Sequence, residues 1–315
     1  MPGNTTVIID SVNPITRHIA VAINPTASFG RTRDVGPSVV DALAGAGFAV
    51  STLREANAEL LRLAVARVVS DGVDALVVVG GDGMVSLAVN ELGDSGIPLG
   101  IVPSGTGNDA ARGLGIPVDD PAAAIATLLT ALGVPPLVMD LGVVRHGISE
   151  TRFAGTVSAG FDAMVNDRAN SWRRPRGKSR YTLALLRELV SLKPRRYDLS
   201  IDGAQTSVDA VLISVANNVS IGGGMRIVPH ALVDDGFLDL FTVAPLGRLR
   251  LLRFFPKVFS GTHTELEEVS FRPVRRITID APDIIAYADG ERIGPLPIDI
   301  EVLPQALKVL APGLI

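Results

Sequence analysis

The sequence predicts a two-part α/β protein, with a mostly parallel sheet in its N-terminal half and a β-rich, mainly antiparallel second half. Three observations carry this expectation. Up to Asp140, short apolar runs alternate with stretches of helical periodicity, the order of strands joined by crossover helices. Beyond Asp140 the runs shorten, gain β-formers and are separated by turn residues. The chain has 315 residues, 47% of them hydrophobic but only 4% aromatic, so Ala, Val, Leu and Ile must fill its cores, and the length suits two domains.

Taken in order, residues 19–23 (IAVAI) form a buried strand stopped by Asn24-Pro25. Residues 37–47 are helical in pattern and 48–53 are a second strand. Residues 58–69 place apolar side chains at helical spacing, with Arg62 and Arg67 on the other side. Residues 75–79 are the clearest buried strand, and residues 85–92 a helix beyond the glycines that follow. A strand at 99–102 and a helix at 109–114 repeat the unit, and Asp120 followed by Pro121 caps another helix. In the second half the predicted strands are 153–157, 197–201, 208–215, 238–243, 274–280 and 284–288, with helical insertions at 181–192 and 247–259. A last apolar run covers 306–310. The expected division is an N-terminal extension at 1–16, a first domain of 17–141 completed by 304–315, and a second domain of 142–303.

Composition excludes several functions. Twenty-nine basic against thirty-three acidic residues leave a net charge of −4, which disfavours bulk nucleic-acid binding. With no cysteine there is no disulfide, thiolate metal site or Cys nucleophile, in keeping with a reducing cytoplasm. Residues 1–16 hold no Lys or Arg, unlike the basic start of a secretory signal. The longest uncharged stretch, 121–139, is broken by Pro135 and Pro136 and does not read as a membrane span.

The sharpest local feature is strand, Gly80-Gly81-Asp82-Gly83, helix. Glycines there permit positive φ and let backbone amides approach a ligand, and the following helix points its positive end at the same spot, so phosphate is the natural occupant. Asp82 would repel bare phosphate, which leaves two roles open: a divalent cation mediates, or the carboxylate accepts a proton or hydrogen bond. Pro103-Ser104-Gly105-Thr106-Gly107-Asn108-Asp109 again follows a strand and opens a helix, and in a parallel sheet both loops share the carboxyl edge where ligands bind. Other matches fail. Gly105 to Ala110 fits a dinucleotide fingerprint, but no acidic residue ends a strand at the ribose-binding position; Gly177-Lys178-Ser179 lacks the first P-loop glycine, where Trp172 stands; and Ser158 lacks the glycine of a nucleophile elbow, Thr156 standing there. The histidines His18, His146, His230 and His263 show no ligand spacing.

With both loops in hand, the chain resembles the diacylglycerol kinase catalytic-domain family, which includes bacterial lipid kinases and sphingosine kinases. The resemblance rests on collinear pieces: Ile23-Asn24-Pro25, the two glycine loops, Arg112-Gly113-Leu114-Gly115, Asp140-Leu141-Gly142, Ser158 through Ala163, Gly222-Gly223-Gly224-Met225, Pro229 with Asp234-Asp235-Gly236, and Asp289-Gly290-Glu291. It implies an α/β ATP-binding domain of NAD kinase-like plan, a β-rich lipid-substrate domain, and Mg²⁺-dependent transfer of the ATP γ-phosphoryl group to a lipid alcohol, most simply diacylglycerol. The resemblance assigns nucleotide contacts to Asn24, Pro25, Thr26, Ala27, Ser28 and Thr52, and to Gly80, Gly81, Asp82, Gly83, Gly105, Thr106, Gly107, Asn108 and Asp109. It makes Glu291 the general base. Asp82 organises the ATP–Mg²⁺ end or, as in the sphingosine branch, is itself the base. Asp235, with main-chain oxygens of Leu232 and Phe237, matches a structural Mg²⁺ site.

The sequence departs from the family at Met84, where Thr is usual, and at Ser86 and Leu87, where Asn-Glu is common. These changes keep a catalytically weak lipid- or nucleotide-binding relative in play, and the shared Gly-Gly-Asp-Gly loop keeps an NAD kinase-like enzyme in play. A kinase of lipids must reach a bilayer. Residues 172–196 carry nine cations against one acid, Glu188, and a second basic-apolar stretch covers 249–257. The expectation is a cytoplasmic protein in transient contact with the anionic inner membrane surface. A homodimer is compatible with this reading and not required by it.

Overall fold

A computed structural model describes residues 16–24, 35–160 and 193–312. Pro25, Thr26, Ala27 and Ser28, the helix expected at 181–192, and all but 193–196 of the basic stretch lie outside the described residues.

The first half alternates as expected: β1 (His18–Ile23), α1 (Val35–Gly45), β2 (Ala49–Leu53), α2 (Ala58–Asp71), β3 (Ala75–Gly80), α3 (Asp82–Leu92), β4 (Leu99–Pro103), α4 (Asp109–Gly113) and α5 (Pro121–Ala131). Apart from His18 at the start of β1, the strands β1, β3 and β4 are apolar throughout because helices cover both faces of their sheet. The order β2-β1-β3-β4 is parallel, so the crossovers leave β1 in opposite directions; α2 packs beside α3 and α1 beside α5. Local chemistry sets the helix ends. The Asn57 side chain accepts from Leu60 N, and Gly72 closes α2 in the left-handed conformation. The Asp120 side chain accepts from the amides of Ala122 and Ala123 ahead of α5.

The second half is built from β5 (Leu137–His146), β6 (Ser149–Phe153), β7 (Thr156–Ser158), β8 (Arg195–Ile201), β9 (Ala204–Ala210), β10 (Leu212–Ala216) and β11 (Leu238–Val243), then α6 (Arg248–Ser260). β12 (Val269–Val274), β13 (Arg276–Asp280), β14 (Ile285–Ala288), β15 (Glu291–Pro295) and β16 (Ile298–Leu310) complete it. A ten-stranded sheet runs β2-β1-β3-β4-β16-β13-β8-β9, with β5 on β16 and β6 on β5; a six-stranded antiparallel sheet runs β12-β11-β10-β7-β14-β15.

Three predicted strands are in fact pairs. The run at 153–157 divides between β6 and β7, 208–215 between β9 and β10, and 274–280 between β12 and β13. In each pair one strand belongs to the ten-stranded sheet and the other to the six-stranded sheet. Apolar sequence continues through the break because both sides face the shared core of Phe153, Val157, Tyr197, Leu199, Ile213 and Val215. The final strand is also longer than its apolar run: β16 spans 13 residues, and Gln305, at φ +54, interrupts its register where Leu303 and Leu307 pair with β5. That bulge hides the period in the sequence. The C-terminal end of β16 pairs in parallel with β4 and its N-terminal half antiparallel with β13, so one strand joins the parallel strands of the first half to the second half.

Candidate active site

The carboxyl ends of β1, β3 and β4 bring Asn24, the Gly80–Gly83 turn and the Gly105–Asp109 loop to one edge. Asn24 N donates to Val79 O, and Ser104 N donates to Gly80 O at 2.8 Å, which ties the two glycine loops together. The helix α3 starts at Asp82, three residues before the sequence pattern becomes helical, and none of Gly80, Gly81 or Gly83 adopts positive φ. The glycines are needed for proximity instead. A Cβ on Gly105 would lie 2.4 Å from Gly81 Cα, and one on Gly80 would lie 2.3 Å from Met84 Cγ. Two backbones therefore touch where any side chain would hold them apart. Asn108, left-handed at φ 55, closes the second loop by accepting from Gly105 N and donating to Gly105 O. Thr106 is exposed at its tip. Thr52 is exposed on the outer strand β2, level with Val21 and Val77 and so about 10 Å from β3 across the sheet, three residues short of the glycine turn.

Two carboxylates organise this edge. Asp82 Oδ1 accepts from Ala110 N at 3.1 Å, so the first turn of one helix holds the first turn of another. Asp109 is buried, and its carboxylate accepts from Ser220 Oγ at 3.0 Å and from the amides of Gly223 at 2.7 Å and Gly224 at 2.9 Å. It therefore clamps the second half of the chain onto the Gly105–Asp109 loop. Burial, and then the neighbouring charge of Asp109, pushes Asp82 above the usual carboxylate range.

Across from α3 stands the β14–β15 hairpin. Asp289 at φ 47 and Gly290 at φ 85 form its two-residue turn, the conformation such hairpins favour. The Asp289 carboxylate accepts from the amides of Ala154 at 3.0 Å, Gly155 at 3.0 Å and Thr156 at 2.8 Å, anchoring the turn to β7. Burial pushes Asp289 up to about 6, its amide donors oppose that shift, and the charge of Asp82 adds to it. Glu291 follows the turn, exposed, with Oε1 4.0 Å from the position of a Cβ on Gly83. The residue given the base role thus faces the start of α3 across the cleft.

The donor set is all carboxylate and carbonyl oxygen, the kind that suits Mg²⁺. Among the described residues no three acidic or His side chains converge on one point, so a cation here would share its coordination with phosphate oxygens and water. Asp235 lies apart from this edge, exposed, and its Oδ1 accepts from Phe237 N at 3.0 Å in a local turn that also exposes Leu232. Of the departures from the family pattern, Met84 and Ser86 are buried and Leu87 packs on the first core.

Sequence reasoning missed a second tier. Asp140, buried, accepts from Gly236 N at 2.6 Å and Gln305 N at 2.7 Å. Asn217 donates to Asp140 O, and Asn218 donates to Asp109 O at 2.9 Å. A Cβ on Gly113 would fall 1.6 Å from Asn218 Oδ1, so that glycine makes room for the clamp. The signal was legible: a polar run, Asn217-Asn218-Val219-Ser220, directly after a buried strand and before three glycines.

A parallel α/β edge with touching glycine loops, faced across an acidic cleft by a hairpin carboxylate, defines a kinase of NAD kinase-like fold. Residues 18–136 match the diacylglycerol kinase catalytic domain and residues 155–311 the YegS C-terminal NAD kinase beta sandwich-like domain. The chain is 39% identical over 302 residues to a diacylglycerol kinase of Mycobacterium tuberculosis (strain ATCC 25618 / H37Rv), covering 95% of this chain and 93% of that one. It is 28% identical over 259 residues to a probable YegS-like lipid kinase of Stenotrophomonas maltophilia (strain K279a), covering 79% and 82%. The crystal structure of a putative diacylglycerol kinase from Bacillus anthracis superposes with a TM-score of 0.75 at 23% identity, covering 94% and 97%, which shows the shared fold. The chain belongs to the diacylglycerol kinase family of lipid kinases. Among the described residues no helix is long and apolar enough to cross a membrane.

Proposed function

We propose that the chain transfers the γ-phosphoryl group of ATP to a lipid hydroxyl, with diacylglycerol as substrate and phosphatidic acid as product. The observation that carries this reading is the facing of Glu291 and the Gly83 end of α3 across the cleft. The two touching glycine loops and the α3 N-terminus would hold phosphate by backbone amides and the helix dipole. The lipid oxygen bonds to the γ-phosphorus as the bond to the β,γ-bridging oxygen breaks, ADP leaves, and the hydroxyl proton passes to Glu291. Asp82 would hold Mg²⁺ jointly with the phosphates, and the ion would neutralise charge on the transferring group. Asp235, with main-chain oxygens of Leu232 and Phe237, would hold a second, structural Mg²⁺.

In this reading residues 17–141 with 304–315 form the ATP-binding part and 142–303 the lipid-binding part. Asn24, Thr52, Thr106 and Asn108 act on the nucleotide side, Asp109 through the loop it clamps. A lipid substrate also implies work at a bilayer surface by a protein otherwise in the cytoplasm. The test is transfer of label from [γ-³²P]ATP, with Mg²⁺, to dispersed diacylglycerol and, separately, to NAD. Label in phosphatidic acid alone supports the proposal; label in NAD phosphate alone overturns it.

A further inference from the structure

Helix α6 has two faces of different kinds. Leu251, Phe254 and Val258, at helical spacing, are buried at 1%, 4% and 3% exposure against Met225, Ile227, Phe241 and Val243 of the second half. On the opposite side, Leu249 and Phe259 are 74% and 53% exposed. Arg250, Arg253, Pro256 and Lys257 are exposed as well. The helix holds no acidic residue, in a chain whose net charge is −4. Glu268 pairs with Arg250, but among the described residues Arg253 and Lys257 have no ion-pair partner. Single exposed apolar side chains are common, as Leu60 and Leu63 show on α2; what sets α6 apart is that its exposed apolar side chains flank unpaired cations on a helix without an acidic residue.

We propose that this outer face of α6 is the surface on which the protein docks to a bilayer carrying anionic headgroups. The apolar ends would enter the headgroup–acyl boundary while the cations meet phosphate. Val258 O, in the last turns of the helix, accepts from Arg226 N at 3.0 Å. Two residues earlier in the chain, within about 7 Å, is Gly224, whose amide binds Asp109 at the cleft. α6 is thereby tied through its buried side to the segment that carries the Asp109 clamp. The choice of a bilayer rests on the lipid-kinase reading.

The experiment is sedimentation of the full chain with vesicles of phosphatidylcholine, with and without phosphatidylglycerol, in the absence of ATP. Each near-surface cation contributes about a fivefold factor in partitioning, so Arg253→Glu with Lys257→Glu should weaken binding to the anionic vesicles by at least about 25-fold. Added salt should erase the difference. Leu249→Ser with Phe259→Ser should weaken binding to both kinds of vesicle. Both double variants should melt as the parent does and keep its turnover of a dispersed short-chain diacylglycerol. Parent-like binding of the charge-reversed variant to anionic vesicles overturns the proposal. Because the binding arm needs no turnover, a parent chain that docks through α6 yet phosphorylates no lipid would retire the kinase reading and leave the docking surface standing.

Discussion

Gly105→Ala tests the contact on which the proposed phosphate cradle depends. The new Cβ would lie 2.4 Å from Gly81 Cα, 3.0 Å from Gly81 N and 2.9 Å from Asn108 Oδ1, whereas ordinary contact begins at 3.4 Å. Two of those three atoms are backbone, so no rotamer change relieves the overlap, and the loops must part by about 1 Å. Overpacking of this kind costs about 1–3 kcal/mol, which lowers the melting temperature by several degrees in a chain of this size. The functional cost is larger, because a misplacement of about 1 Å at a reacting centre can lower turnover about 10²-fold. Isothermal calorimetry with ATP and Mg²⁺ should show weakened binding, and lipid phosphorylation should fall by about that factor. Gly45→Ala is the control: nothing lies within 4 Å of its Cβ, it closes α1, and its φ is not positive, so stability should hold or rise with nucleotide affinity unchanged. Parent-like ATP affinity, turnover and melting in Gly105→Ala would refute the cradle.

Three other perturbations separate roles at the site and in the core. Glu291→Gln keeps size and hydrogen bonding but cannot take a proton at neutral pH, so kcat should fall by about 10²–10⁴ with ATP affinity retained, while Asp82→Asn should lower both; the reverse pattern would move the base to Asp82. Asp109→Ala strands the donors of Ser220, Gly223 and Gly224, at about 1–3 kcal/mol for each one left unpaired, and a melting temperature unmoved from the parent's would show that the clamp does not hold the halves together. His263 is fully buried, with Nε2 against Ile227 O at 2.9 Å, and burial lowers its pKa from 6.5. A depressed His pKa means that the unfolded chain binds the proton more readily, so its stabilising contribution is present above pH 6.5 and is lost as pH falls below that value. His263→Leu should flatten the acid limb of a melting-temperature profile, and an unchanged limb would assign the slope to other groups.

The alternation of apolar strands and helices through α5 was legible because each element is governed by neighbours in the chain: helix caps at Asn57 and Asp120, and runs of Val and Leu that both faces of a covered sheet demand. The glycine loops were legible from their place between a buried strand and a helix, and the Asp289-Gly290 turn because steric freedom at a hairpin turn is a local property. What hydrophobic pattern could not show was where one apolar run serves two sheets, as between Ala210 of β9 and Ile213 of β10, because a side chain facing a shared core looks the same from either. Nor could it show that β16 runs from Ile298, because the register shift at Gln305 breaks the period that would have revealed it. The cleft belongs to the same class. That Gly81 must be glycine because Gly105 touches it, that Asp109 reaches Gly223 and Gly224, and that Glu291 stands opposite Gly83 are facts about residues 24, 114, 115 and 208 positions apart. Such distances are set by strand order and sheet pairing, which close only when the whole chain has packed.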